Sequence, residues 1–329
     1  MTYKGEKLGA FIVPTGVGAS IGGYAGDASA YARKFSKISK LIVNPNVVNA
    51  GCFSGINDNM LYVEGYSLDK FFKGEISFVP SNENKIGIIY DKSIPQDVMN
   101  IHLNTQNAAA TVYGLDIQAY EITDEEVGVK FFVTNEGISL GNVRNISTVE
   151  KAAEKLLKKG CEALAIVCLF DDSFDDNPQY AQGSGVDPVG GVEAIISHDI
   201  SKKFKVPCAH SPAFTDYSIY PELVNPKSAS EYITPTFLPC ILVGLSQAPK
   251  ISQDISAGIN INNLDYLIMP YDTLGSTPVF ECVKRGIKVF AIKENHTELN
   301  ITKEKLFSNN NNIIVISTYN KLYDIINDI

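Results

Sequence analysis

Tryptophan is absent from this chain of 329 residues, histidine occurs only four times, and no two cysteines stand in a C-x-x-C spacing. With no H-E-x-x-H run either, a zinc site has little basis in the sequence. No Gly-Lys-Ser/Thr occurs, which removes the phosphate loop of the P-loop nucleotidases. The dinucleotide fingerprint also fails. Ile21 stands where its third glycine belongs, and the strand that should end in an acid ends in Asn44-Pro45. Basic residues are outnumbered 28 to 37, giving a net charge of −9, so a nucleic-acid partner is not expected. Long apolar runs are missing too. The opening run stops at Pro14, and FLPCILVGL is broken by Pro239, so neither a secretory signal nor a membrane span is expected. Six cysteines without disulfide-like spacing suit reduced thiols, so the expected location is the cytoplasm.

What the chain has in excess is polar loops. Six stretches rich in Gly, Asn, Asp and Pro each begin where an apolar run stops: Gly16 to Ala28, Asn44 to Asn59, Phe170 to Gly191, Pro207 to Phe214, Pro270 to Pro278 and Lys293 to Asn300. Short apolar runs such as GAFIVP, KLIVN, KIGIIYD, CEALAIVCLF, DYLIMPY and IKVFAI read as buried strands. Helical patterns alternate with them. NMLYVEGYSLDKFFKG reads as one helix closed by Gly74, and STVEKAAEKLLKKG as another, capped by Ser147 or Thr148 and stopped by Gly160. TDEEVGVKFFVTNEGISLGNVRN lacks helical periodicity and reads as a β-rich excursion. The alternation predicts an α/β fold of two Rossmann-like lobes with mostly parallel sheets and a cleft at the strand C-terminal ends. Residues 1–85 with 226–329 form one lobe in this reading, and residues 86–225 the other.

The loops supply the candidate site. A glycine-rich strand-to-helix loop presents backbone N–H groups to an anion, with Thr15, Gly16, Gly18 and Ser20 as the expected contacts. Asn57 and Asn59 offer donors and acceptors for a carboxylate without adding charge. Cys52, among small residues near a strand end, is a candidate nucleophile or proton donor. His210, two residues after Cys208, is a candidate general base, with His210 or Cys168 facing Cys52. Gly275, Ser276 and Thr277 open a helix and form a second anion candidate. Asp171 and Asp172 lie in an acidic loop that would hold Mg²⁺ in an alternative reading.

FIVPTGVGASIGGYAGDA, NPNVVNAGCFSGINDNMLYVEGY, GVDPVGGVEAIISH, PCAHSPA and the PYD…GSTPV…RGI…ENHTEL tail resemble a family of uncharacterised bacterial proteins, largely cyanobacterial. Residues 85–168 are also similar to one lobe of the aspartate/glutamate racemase superfamily. The shared outline is KIGIIYD, AAATVYGLDI and AAEKLLKKGCEALAIVC. That resemblance implies two facing lobes, each giving a strand-end cysteine for proton transfer beside a carboxylate, and by position the pair is Cys52 and Cys168. The Cys-Thr-His-type context of the superfamily reads Leu169-Phe170-Asp171 after the second cysteine here.

The resulting expectation is a cofactor-independent isomerase, racemase or lyase acting on a small carboxylate-bearing metabolite. An Mg²⁺-dependent transferase or hydrolase of a phosphorylated metabolite is the second reading, and a non-catalytic metabolite sensor the third. Neither nucleic acid nor membrane is an expected partner. The number of subunits is left open by the sequence, a homo-oligomer included.

Overall fold

The computed structural model describes residues 7–170, 178–219 and 221–328. Its first strands are β1 (Leu8–Phe11), β2 (Lys40–Val43), β3 (Asn49–Ala50), β4 (Phe53–Ser54), β5 (Met60–Tyr62) and β6 (Ser77–Val79). The middle of the chain gives β7 (Ile86–Tyr90), β8 (Ile117–Ile122), β9 (Val129–Val133), β10 (Ser139–Val143), β11 (Ala163–Leu169) and β12 (Cys208–Ala213). The last four are β13 (Lys250–Ser252), β14 (Tyr266–Pro270), β15 (Lys288–Ile292) and β16 (Ile313–Ile316).

Two parallel sheets organise these strands, as the alternating pattern predicts. The larger runs β16-β15-β14-β1-β2-β5 and the smaller β12-β11-β7-β8. The β-rich excursion is the antiparallel hairpin β9–β10. Because strand side chains alternate in direction, each buried strand feeds two cores. Phe11 and Val13 enter one cluster, while Leu8, Ala10 and Ile12 enter another on the opposite face. In the smaller sheet Ala163, Ala165 and Val167 share the cluster of Phe11, whereas Leu164, Ile166 and Cys168 face a third. One apolar cluster therefore joins the two sheets. The helix Leu238–Ser246, buried almost all round, sits in that joint through Leu238, Cys240, Ile241, Leu242 and Leu245.

Two local expectations are corrected. Met60, Leu61 and Tyr62 are a strand rather than the start of a helix, because all three are buried and pair with Leu41, Ile42 and Val43. The helix begins only at Gly65 and ends at Gly74, whose φ of 74° accepts the left-handed cap. The helix Ile146–Lys158 starts one residue before Ser147, with Asn145 at its cap position. Thr148 instead accepts a hydrogen bond from the Glu125 N–H at 3.1 Å.

Candidate functional site

The glycine loop after β1 is pinned at both ends by asparagine side chains. Asn44 accepts from the Val13 N–H at 3.0 Å and donates to the Val13 carbonyl at 2.7 Å, doing for one residue what a paired strand does. Asn46 donates to the same carbonyl and to Thr15 Oγ1, at 3.0 and 3.1 Å. At the far end the buried Asn295 accepts from the Ile21 N–H and donates to the Ile21 carbonyl and to the Tyr319 hydroxyl. Between these pins Thr15 and Gly16 form a turn, and the N–H groups of Thr15, Gly16, Gly18 and Ala19 make no hydrogen bond among the described residues. Gly16 and Gly18 have φ of 69° and 61°, a conformation that L side chains rarely adopt.

Residues 15–19 line a cavity of about 110 Å³ between the C-terminal edges of the two sheets. Its opposite wall comes from β12, the start of the helix Gly190–Phe204 and the segment around Glu231. Ser139, at the hairpin, ties the walls together. Its N–H donates to the Gly16 carbonyl at 3.1 Å, and its Oγ accepts from the Gly191 N–H at 3.0 Å. A Cβ at Gly191 would sit 2.2 Å from the Ser139 carbonyl oxygen. We expect Gly191→Ala to push the hairpin off the helix and cost about 1–3 kcal/mol in denaturant unfolding. An unchanged midpoint would show that Ser139 does not set this closure.

Alternation along β12 puts His210 on the face of Cys208, towards the helix Gly190–Phe204. His210 Nδ1 lies 2.9 Å from Ser197 Oγ, which bonds back to the Glu193 and Ala194 carbonyls at 3.4 Å. The serine proton is thus used on the helix, so its lone pairs accept the Nδ1–H, leaving Nε2 as an acceptor. Nε2 faces Glu193 Oε2 at 3.8 Å. Glu193 is 6% exposed, and its other oxygen has no hydrogen-bond partner. Burial pushes its carboxyl well above the usual range, helped by Asp187, Glu64 and Glu231. Burial also pushes the His210 imidazole down to about 3, with His198 adding to the effect. Burial thus favours the neutral form of both side chains.

Two further acids line the cavity. Asp187 accepts from the Val189 N–H at 3.0 Å, yet burial still raises its carboxyl. Glu231 is pushed up to about 8 by burial and by Asp187, against a hydrogen bond from Tyr180. Tyr24 and Tyr180 also line the cavity, their rings tilted by 31° with centroids 4.9 Å apart.

Of the residues expected from sequence, Thr15, Gly16, Gly18 and His210 meet in this cavity. Ser20 does not line it. Its Oγ accepts from the His296 N–H at 3.0 Å and donates towards the Glu294 carbonyl and Asn295, so it anchors the loop. Asn57 and Asn59 lie before β5, at the opposite edge of its parallel sheet, where they donate to Ser36 Oγ and to the Ser36 carbonyl. Gly275, Ser276 and Thr277 stand at the start of the helix Thr277–Arg285 and do not line the cavity; Gly275 lies against Ile301. Cys168 is buried in the third core cluster, and burial with Asp91 and Glu193 holds its thiol well above the usual value. Cys52 sits in the β3–β4 turn, half-buried and also raised by burial; only its neighbour Gly51 reaches the cavity. The structure thus brings neither cysteine to the cavity. Asp171 and Asp172 lie outside the described residues. Among the described residues no three His, Cys, Asp or Glu side chains converge as a metal-ligand set.

Glu193 is the principal residue that the sequence argument passed over. A signal was present: Val192, Glu193, Ile196, Ser197 and Ile200 form one buried helical face, and Glu193 is the ionisable member of it. Glu231, in the four-residue helix Ala229–Tyr232, carries no such pattern.

The comparisons with known proteins match nearly the whole chain. A family model described as "Protein of unknown function (DUF3326)" covers residues 9–326. An uncharacterised lipoprotein of Synechococcus sp. is 38% identical over 299 residues, which is 88% of this chain and 82% of that protein. No solved structure matches. Among the described residues no helix is long and apolar enough to cross a membrane. The chain belongs to the DUF3326 family.

Proposed function

We propose that this member of the family is a cofactor-independent enzyme that moves a proton on a small carboxylate-bearing metabolite, in a reaction of isomerase, racemase or lyase type. The observation that carries the reading is the Glu193 carboxyl, buried, with one oxygen unpartnered and the other facing His210, on a cavity whose far wall is a run of unbonded backbone amides. Amides so arranged suit the substrate carboxylate. They also stabilise the second negative charge that develops when the neighbouring carbon loses its proton. His210 Nε2 is the base that receives the proton, and the Glu193 carboxyl is the acid that returns one. Holding a neutral acid beside a neutral imidazole needs the dry setting that burial provides. Six free thiols suit a reducing compartment such as the cytoplasm, and the lipoprotein name belongs to the Synechococcus relative.

The reading is tested by thermal shift with a panel of small carboxylates and phosphorylated metabolites, each with and without Mg²⁺. A carboxylate at a hundredfold excess over its Kd is expected to add about 2.7 kcal/mol of stability without metal. Stabilisation by phosphorylated compounds alone, and only with Mg²⁺, would overturn it. Cys52→Ala is expected to leave turnover of the stabilising carboxylate within about threefold of the native rate, since a half-buried thiol outside the cavity takes no part. A complete loss in that variant would return the chemistry to the cysteine.

A further inference from the structure

We infer that a second cavity, back to back with the first, binds a phosphate monoester that carries a flat ring, as a mononucleotide does. This cavity has a volume of about 420 Å³ and lies between the helix Ser29–Phe35, strand β4 and the segment from Pro226 to Ser230. A wall of small residues separates it from the candidate site. Ala25 lines both cavities, and two neighbouring pairs, Ala50 with Gly51 and Ser230 with Glu231, put one residue into each. Close backbone approach holds this wall. Ser230 Oγ donates to the Ala25 carbonyl at 2.6 Å, and a Cβ at Gly51 would sit 2.4 Å from the Ser230 carbonyl oxygen. The two cavities are separate spaces, so this inference does not depend on the reading above.

The charge of the second cavity runs against that of the chain. The protein carries 37 acidic against 28 basic residues, yet the charged groups presented here are Arg33 and Lys227. Arg33 stands on the outer side of its helix, whose buried residues are Ser29, Ala32 and Phe35. Of the three arginines, Arg144 pairs with Glu126 and Arg285 with Glu281, while Arg33 has no ion pair among the described residues. Lys227 gives one hydrogen to the Ser20 carbonyl at 2.7 Å and keeps two. Asp27 is the acid of the lining among the described residues, and it turns inward. Its Oδ1 accepts from the Gly22 N–H at 2.7 Å, and its Oδ2 is buried. Two cations with no exposed carboxylate between them select an anion, and an unpaired guanidinium fork matches the oxygens of a phosphate.

The remaining walls select the rest of the ligand. Phe53, from β4, is 57% exposed, and Tyr113, at the end of the helix Gln96–Tyr113, is 50% exposed; both line the cavity. Two large aromatic side chains left half in water around one concavity offer faces on which a flat ring stacks. Inorganic phosphate would leave both faces uncovered and most of the space unfilled. A phosphate monoester carries about −1.5 to −2 near neutral pH, which two cations match, whereas a polyphosphate brings more charge than they offset. Binding makes and breaks no covalent bond.

The test is calorimetric titration near neutral pH without Mg²⁺. The probes are AMP, GMP, CMP and UMP, each against its nucleoside and against ribose 5-phosphate. At least one mononucleotide is expected to bind roughly tenfold or more tightly than both of its controls. Arg33→Gln should weaken that nucleotide by about tenfold, through loss of the phosphate contact. Phe53→Ser should weaken the nucleotide and leave ribose 5-phosphate unchanged, through loss of the stacking face. Both side chains are exposed, so the variants should keep the native unfolding midpoint. No mononucleotide binding at millimolar concentration would overturn the inference. So would ribose 5-phosphate binding as tightly as the nucleotide, or nucleotide affinity that neither substitution changes.

Discussion

Glu193→Gln is expected to lower turnover by about 10² to 10⁴-fold, the range a positioned acid or base contributes. Glutamine keeps the size and the carbonyl oxygen of the side chain and puts an amide NH₂ in place of the acidic hydroxyl, so the change removes the transferable proton. The fold should persist. Glu193 lies on a buried helical face and makes no close ion pair, its His210 contact being 3.8 Å. Its carboxyl is held above the usual range by burial, so replacing it removes a group that the folded state disfavours in ionised form. Equal or higher thermal stability with lost turnover identifies a chemical role. Lost turnover with lost stability would make Glu193 a structural residue instead.

Raising the pH from about 5 to about 8 should destabilise the protein, and Glu64→Gln should remove much of that loss. Glu64 is 6% exposed, accepts from the Tyr62 hydroxyl at 3.4 Å, and is pushed by burial from 4.5 up to about 8. The sign follows from proton counting. Between those two values the folded state holds a proton that the unfolded chain has already lost. The contribution to stability is therefore complete below about 4.5 and is lost as the pH rises towards 8. At about 1.4 kcal/mol per pH unit the ceiling is about 5 kcal/mol, and relaxation around the charge brings the expected gain of the variant to about 2–4 kcal/mol at pH 8. Near pH 4.5 the variant should match the native protein. Guanidinium unfolding at both pH values measures this directly. Parallel pH profiles for the two proteins would show that Glu64 ionises normally. Glu231 and Asp27, pushed by burial to about 8 and about 7, add slopes of the same sign that persist in the variant.

Much of this architecture is legible from residue order. Runs such as GAFIVP and CEALAIVCLF are apolar on both faces because parallel strands are covered on both faces, and that pattern alone places them in a sheet. The polar loops then fall at strand ends by necessity. What residue order does not carry is which end. Asn57 and Asn59 read as part of a long loop following β2 because Met60–Tyr62 reads as helix; three buried residues are too short a run to declare a strand. Once β5 forms, those asparagines precede it and lie on the far edge of the sheet. Cys168 fails for a similar reason. A strand-end position does not tell which face a side chain takes, and alternation from Leu164 sends Cys168 into the third core cluster. Glu193 shows the converse. Its place in the helical apolar stripe is visible, but its meaning depends on His210, which only the pairing of β12 with β11 brings alongside.

The most direct measurement is hydrogen exchange at carbon. Small carboxylates that stabilise the protein are incubated with it in D₂O, and the carbon beside the carboxylate is followed by proton NMR and mass spectrometry. Proton transfer through His210 and Glu193 requires that carbon to take up deuterium with the native protein and to stay protonated with Glu193→Gln. Binding of such a carboxylate with no deuterium incorporated by the native protein would contradict the account and leave a cavity that holds its ligand unchanged.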